Sequence, residues 1–222
     1  MEIRTDFNRR LREIQDDILI MGSMVEAAII TSIKALKERD IDIAKQLISD
    51  DALINRKRFE IEEKCIKLIA TQQPLAGDLR TIISVLNILT ELERIGDYAA
   101  GISKIVLMIG NEEHLKPLID IPRMADKTTL MLRKSLDAFI KQDADKARAV
   151  IAEDDDVDNL YDQVFRELLT FMIEDPRTIT RATRLIWAAH NLERSADRVT
   201  NICERIIYIV TGKMEELGAS NY

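Results

Sequence analysis

The sequence predicts an all-α protein of two tandem, pseudo-symmetric three-helix bundles, with six long helices in total. Three observations predict this fold. The 222 residues include only seven glycines and four prolines, too few for the frequent turns of a β-sandwich or barrel. Apolar residues recur at three- and four-residue steps, which is the period of an amphipathic helix. The first half of the chain also recurs in the second half, in the same order.

Three helices are expected in the first half. The first runs from Phe7 to Arg39, and Asp40 then caps a second helix over Ile41 to Gln72. Pro74 ends the second helix, because proline cannot continue a helix and restricts the residue before it. A cap at Asp78 is expected to start the third helix, which Gly110 and Asn111 stop.

A connector separates the two halves. It runs from Asn111 to Pro122 and contains two prolines and four charged residues. We therefore expect residues 1–112 to form the first three-helix repeat and residues 113–222 the second. The fourth, fifth and sixth helices are expected over Met124–Lys141, Asp143–Glu174 and Thr178–Thr211.

The duplication rests on three pairs of segments. DIDIA at residue 40 recurs as DADKA at residue 143, and DALIN at residue 51 recurs as DDDVD at residue 154, both at a shift of 103 residues. LERIGD at residue 92 recurs as LERSAD at residue 192, a shift of 100. Because the order is kept and each copy spans about 100 residues, we interpret the chain as an internal duplication.

The composition narrows the class of protein. Apolar residues make up 46% and charged residues 32%, the balance of a globular chain. The net charge of −7 argues against nucleic acid as a partner, since phosphate backbones require a basic surface. No signal peptide or apolar stretch of membrane-spanning length is expected. Cys65 and Cys203 are expected to be buried thiols in a reducing compartment, so the protein is expected to be cytoplasmic.

Each repeat carries two carboxylates four positions apart on its third helix. That spacing puts both on one helix face, on the flank of the apolar stripe. Like charges at this spacing repel by roughly a few tenths of a kcal/mol, so stability alone would favour a Glu–Lys pair. The preceding helix of each repeat has a matching pair. The residues are Glu93 and Asp97, Glu193 and Asp197, Asp51 and Asn55, and Asp154 and Asp158.

These acids allow two interpretations. Helix faces rich in carboxylates can gather a hard cation, and Mg²⁺, Mn²⁺, Ca²⁺ or iron are the candidates. Zinc is disfavoured, because no cysteine is near and the chain has two histidines. Alternatively, the acids solvate the outer faces of the helices and pair with arginines such as Arg94 and Arg194. The pattern alone leaves both interpretations open.

Three segments, QQPLAGDLR, LERIGDYAAGISKIV and LERSADRVTNICERIIYIVTG, strongly resemble the PhoU family of bacterial phosphate-uptake regulators. The resemblance covers essentially the whole chain. It implies a cytoplasmic, usually dimeric protein that helps to switch off the phosphate-starvation response when phosphate is plentiful. It also implies two partners, the ATPase subunit of the phosphate ABC transporter and a sensor histidine kinase. The protein is then expected to contact the membrane only indirectly, through these partners.

The resemblance further implies metal clusters, because some family members bind them through E(D)xxxD motifs. Carried over, the motifs fall on Glu93/Asp97, Glu193/Asp197 and Asp154/Asp158, and Asp51 is a weaker candidate because Asn55 supplies an amide. The Asn and Glu that follow the motif in the family are present as Asn201 and Glu204, but Gly101 and Lys104 replace them in the first repeat. The second repeat is therefore expected to hold a metal more firmly.

The leading hypothesis is a non-enzymatic regulatory adaptor without an organic cofactor, since no glycine-rich phosphate loop or other catalytic motif is found. The runner-up is a metal store or di-iron carboxylate bundle, although the two ExxH elements of such bundles are missing. A purely structural helical scaffold is the third interpretation. Arg80, Arg94 and Arg194 are the candidate partner-binding residues.

Overall fold

A computed structural model describes residues 2–214, and within them it contains helices and no strand. The all-α prediction is confirmed. A short 3-10 turn over Pro176–Thr178 precedes the last helix. In chain order the helices are α1 (Glu2–Glu38), α2 (Ile41–Gln72), α3 (Ala76–Ile109), α4 (Asp120–Lys141), α5 (Ala144–Ile151), α6 (Asp154–Glu174) and α7 (Ile179–Thr211).

Three helices begin earlier than the sequence suggested, and the first of them is α1, which begins at Glu2 and not at Phe7. α3 begins at Ala76, so Asp78 lies in its first turn, and the extended Leu75 takes the cap position without a side-chain hydrogen bond. The acid still stabilises the helix end there, because negative charge interacts favourably with the first turn. α4 begins at Asp120, four residues early. Pro122 does not delay it, since a proline in the first turn removes no intrahelical bond.

The expected fifth helix is broken. It divides at Ala152 and Glu153 into α5 and α6, whereas its first-half counterpart α2 runs unbroken over 32 residues. The first turn of α6 contains Asp154, Asp155 and Asp156. Consecutive acids are favourable at a helix N-terminus and unfavourable inside a helix, so the chain starts a new helix at this run.

The corner between α1 and α2 has the same structure as the corner between α4 and α5. Asp40 accepts hydrogen bonds from the backbone N–H groups two and three residues ahead, at 3.0 and 2.9 Å. Asp143 accepts one from the N–H three residues ahead, at 2.9 Å. Arg39 and Gln142, just before the caps, have left-handed φ values of 58° and 51°. The shift of 103 residues therefore relates α4 to α1 as well as α5 and α6 to α2.

Replacing the cap Asp40 by alanine is expected to lower the free energy of unfolding by about 1 kcal/mol, because two N–H groups of α2 lose their acceptor. Urea unfolding followed by far-UV circular dichroism measures it. Asp42→Ala is the control, since this acid is exposed in the first turn of α2, where its charge interacts with the helix dipole. An equal loss in both variants would show that Asp40 does not act as a cap.

α3 and α7 form the centre of the molecule and join its two halves. Near the start of α3, Arg80 lies over Gly212 at the end of α7. Near the other end of α3, Gly101 lies beside Asn191. Positions that increase along α3 therefore meet positions that decrease along α7, and the two helices pack antiparallel over their whole length.

The buried apolar residues form one continuous core across both halves. A second crossing contributes to it, where Gly22 on α1 packs so closely on Leu136 of α4 that a Cβ at Gly22 would overlap the leucine side chain. Cys65 and Cys203 are buried in this core as unbonded thiols, as expected. The boundary between residues 112 and 113 stays a prediction.

α1 is long and apolar enough, by length and composition, to cross a membrane. Its residues Ile14, Ile18, Met21 and Val25 are buried against the other helices of the bundle. A core helix of a helical bundle meets the same criteria, so this finding is weak evidence for a membrane segment.

Candidate metal centre

Four carboxylates of the second repeat come together where α6 packs beside α7. Asp154 and Asp158 lie one turn apart at the start of α6, and Glu193 and Asp197 lie one turn apart on α7. The sequence placed the two pairs on different helices, and the fold brings them to one location. We call this group the second acidic cluster.

Asp154 is the most perturbed member of the second acidic cluster. Burial, followed by the charges of Asp158, Asp197 and Glu193, raises the pKa of Asp154 to about 7. Burial and Asp197 also raise the pKa of Asp158. The Oδ1 atom of Asp154 is buried and has no hydrogen-bond partner among residues 2–214. Since repulsion and lost solvation cause these shifts, a cation at this place would reverse them.

The α7 side of the second acidic cluster is held by neighbours on the same helix. Glu193 is buried, with 4% of its surface exposed, and not on the outer surface as the flank position suggested. His190 Nδ1 lies 3.2 Å from a Glu193 carboxylate oxygen. Arg194 donates a hydrogen bond to Asp197 at 2.9 Å. Burial and the Arg194 charge lower the pKa of His190.

Asp51, Glu93 and Asp97 form the corresponding first acidic cluster, between α2 and α3. Burial and Asp97 raise the pKa of Asp51, and the charge of Lys104 opposes them. Burial and Asp97 likewise raise the pKa of Glu93. Arg58 opposes this shift, with a guanidinium nitrogen 3.1 Å from a Glu93 oxygen. Two basic side chains therefore partly neutralise the first acidic cluster.

At three matched positions the exchange between the two repeats leaves the second with more negative or less positive charge. Where the first repeat has Asn55, Arg58 and Lys104, the second has Asp158, Tyr161 and Glu204. Sequence reasoning identified the first and third exchanges and missed Arg58. The shift of 103 residues was the signal that would have revealed it, because it aligns Arg58 with Tyr161.

Within residues 2–214, no three acidic, histidine or cysteine side chains already converge as a metal site. The donors nevertheless fit a hard cation, because the second acidic cluster offers carboxylate oxygens and a buried oxygen without a partner. Asp154, Asp158, Glu193 and Asp197 would hold such an ion, which would supply positive charge to a repulsive group of acids. The metal residues, including Asp51, Glu93 and Asp97, stay a prediction.

The three candidate partner-binding arginines lie in different surroundings. The Arg80 guanidinium carbon lies 5.8 Å from the centre of the Tyr208 ring, so this side chain bridges α3 and α7. Arg194 is bonded to Asp197, and Arg94 is exposed on α3. Their partner role stays a prediction.

Comparison with known proteins decides the family. The model of the PhoU domain matches this chain twice, over residues 18–106 and 121–206. The chain belongs to the PhoU family. This confirms the resemblance seen in the sequence, and the two matches lie in the two halves that the internal repeat defines.

Curated PhoU relatives match the chain over nearly its whole length. The phosphate-specific transport system accessory protein PhoU homolog of Clostridium acetobutylicum is 41% identical, over 96% of this chain and 98% of the relative. The phosphate-specific transport system accessory protein PhoU of Escherichia coli K12 is 37% identical, over 95% of this chain and 88% of the relative.

Solved PhoU structures share the fold. The crystal structure of PhoU from Pseudomonas aeruginosa superposes with a TM-score of 0.88 at 36% identity, covering 93% of this chain and all of that one. The phosphate transport system regulatory protein PhoU from Streptococcus pneumoniae also gives a TM-score of 0.88, at 31% identity, over 95% of this chain and all of that one. The PhoU fold therefore extends over both repeats.

Proposed function

We propose that this PhoU-family chain is a non-enzymatic accessory protein of phosphate transport. The observation that carries the proposal is the match to relatives of that name across both repeats, at 37–41% identity. More specifically, the chain acts in the cytoplasm as a negative modulator of the phosphate-starvation response. It does so by binding the ATPase subunit of the phosphate ABC transporter and a sensor histidine kinase, and it meets the membrane only through them.

The second part of the proposal is that the second acidic cluster binds a divalent cation or iron. The buried Asp154 oxygen without a partner and the raised pKa values of Asp154 and Asp158 support it. A di-iron store is less well supported. His190 is half exposed and contacts Glu193 of its own helix, whereas di-iron bundles use inward-facing Glu-x-x-His pairs from two helices.

The third part is a homodimer. An exposed apolar row runs along α6 at four-residue steps, and one helix face can bury it against a second copy. Its members are Phe165, Leu169 and Ile173, with exposed fractions of 42%, 41% and 74%. Light scattering on the wild-type protein tests this part, and a monomer at micromolar concentration would contradict it.

Capture from membranes tests the regulatory role. We expect the immobilised wild-type protein to capture the phosphate transporter and the sensor kinase from membranes that contain both. Replacing the four α3 and α7 acids, Glu93, Asp97, Glu193 and Asp197, by alanine is expected to lower bound metal and capture at least about tenfold together. Metal content is measured on the same samples.

The matched control removes four exposed carboxylates outside the clusters, with Glu63, Asp126, Asp145 and Glu174 replaced by alanine. It is expected to capture both partners as the wild type does. Capture retained by the cluster variant without metal would support the regulator and reject a metal-dependent surface. Failure of the wild type to capture either protein would reject the proposed partners.

A further inference from the structure

A cavity of about 500 Å³ lies between α1 and α2 in the first repeat, and we call it the α1–α2 pocket. Its lining is mostly apolar, with Lys34 on α1 and with Asp50 and Asp51 on α2. Cavities of roughly 300–1,000 Å³ with a few polar groups are typical of small-molecule sites. The phosphate-transport role proposed above does not use this pocket.

The corresponding space in the second repeat is bridged by ion pairs. Three of them cross from α4 to the segment that contains α5 and α6, and together they hold these helices against each other. They join Lys134 to Glu153 at 2.6 Å, Lys127 to Asp156 at 2.7 Å, and Asp137 to Lys146.

At a shift of 103 residues, each of these ion pairs has a first-repeat counterpart that cannot form one. All six counterpart residues line the α1–α2 pocket. The pocket is therefore present where the second repeat has ion pairs across the same helices. The counterparts are Thr31 with Asp50, Met24 with Leu53, and Lys34 with Ile43.

A difference in side-chain size also leaves more space between the helices of the first repeat than between those of the second. Ala28 lines the pocket, and the matching residue of the second repeat is Met131, a much larger side chain that is 1% exposed. The α1–α2 pocket is thus a feature of the first repeat. Seven matched positions that differ between the two copies produce it, the six of the three ion pairs and Ala28.

We propose that the α1–α2 pocket binds a small amphipathic amine, with its apolar body against Met24, Leu53 and Ile54 and its ammonium group beside Asp50 and Asp51. Leu53 is 47% exposed, so an apolar body would cover surface that the chain leaves open to water.

The charges in the pocket favour a cationic head over an anionic one. Asp50 and Asp51 are adjacent, and Asp51 experiences the negative charge of Asp97 more strongly than the opposing positive charge of Lys104. Lys34 occupies the position paired with Ile43, about two helical turns along α2 from the two acids. An ammonium group beside the acids gains two attractions, whereas a carboxylate at the same place meets two like charges.

The test uses dansylcadaverine, whose aromatic dansyl group and pentyl chain end in a primary amine, and an analogue acetylated on that amine. We expect dansyl fluorescence to rise on binding to the intact protein, with at least about tenfold tighter binding of the amine. Equal affinity for the two probes, or no saturable binding of the amine, would overturn the proposal.

Two variants locate the binding site, and the second keeps the test valid if the first folds poorly. Thr31→Lys gives Asp50 an ion-pair partner, as Lys134 does for Glu153 in the second repeat. Ala28→Met places in the pocket the larger side chain that Met131 has at the matching position. Each is expected to weaken binding of the amine at least about tenfold, whereas the exposed control Thr180→Lys is expected to bind as the wild type does. If either of these two variants folded and still bound the amine with wild-type affinity, the proposal would be overturned. No transporter is present in this assay, so its outcome is independent of the regulatory role.

Discussion

Replacing Phe139 with alanine is expected to lower the free energy of unfolding by about 3–5 kcal/mol, the range for removing a fully buried aromatic side chain. Phe139 lies on α4, is 2% exposed, and is among the largest fully buried side chains of the core. Because this core is continuous across both repeats, the loss is expected to lower the stability of the whole molecule in one transition. Urea unfolding followed by far-UV circular dichroism measures both the size and the number of transitions.

Phe59→Ala is the matched control for Phe139→Ala. Phe59 lies on α2, outside the exposed row of α6, and is 57% exposed, so the same truncation removes much less buried surface. We expect a loss below about 1 kcal/mol for this variant. Similar losses in the two variants would contradict the position of Phe139 in the core, and two separate transitions would contradict a shared core.

The second large effect concerns Asp154 in metal-free protein. Its carboxyl group has a pKa of about 7 in the folded chain, against an ordinary value of 3.8. The folded chain therefore binds the proton more tightly, and stability falls as pH rises from about 4 to 7. At full strength the difference would be about 4 kcal/mol. Solvent around the partly exposed group reduces this to about 1–2 kcal/mol.

Asp154→Asn removes the cost of ionising this carboxyl group among Asp155, Asp158, Glu193 and Asp197. In the presence of a chelator, we expect the variant to be about 1–2 kcal/mol more stable than the wild type at pH 8 and about equally stable at pH 4. Urea unfolding at both pH values measures this. The exposed Asp126→Asn serves as the control, and it is expected to change little at either pH.

A divalent cation should reverse the order of the two proteins. Millimolar Mn²⁺ is expected to stabilise the wild type at pH 8 and to have less effect on Asp154→Asn, because the variant lacks one carboxylate ligand. If Mn²⁺ stabilised both proteins equally, Asp154 would not be a ligand. If Asp154→Asn were less stable than the wild type at pH 8 in the presence of a chelator, the claim that ionised Asp154 destabilises the metal-free protein would be contradicted.

Much of the fold was predictable because apolar periodicity, proline positions and a repeated segment are local signals. The Asp40 cap, the helix ends near Pro74 and Gly110, and the all-α class all follow from them. The break between α5 and α6 was not predicted, since apolar periodicity continues through it. A run of acids overrides that periodicity, and its effect depends on whether the run lies at a helix end.

The sequence was enough to predict which residues belong to the candidate site, but not how buried they are or which charged side chains surround them. Spacing along one helix identified Glu193 and Asp197, but burial of Glu193 depends on neighbouring helices. The partial neutralisation of the first acidic cluster depends on Arg58, which is distant in sequence from Glu93 and contacts it only because α2 packs on α3. The α1–α2 pocket likewise follows from pairs of residues on two helices, which no single periodic pattern reveals.

The crossing of α3 and α7 has the geometry of a twofold axis. Gly101 lies beside Asn191, and Glu91 accepts a hydrogen bond from Asn201. At the shift of 100 residues, exchanging the two repeats converts the first contact into the second. Contacts of this reciprocal kind define an isologous interface between identical subunits. Fusing two such subunits into one chain makes the interface internal. It also lets the copies differ in sequence, so that one can become strongly acidic while the other opens a cavity.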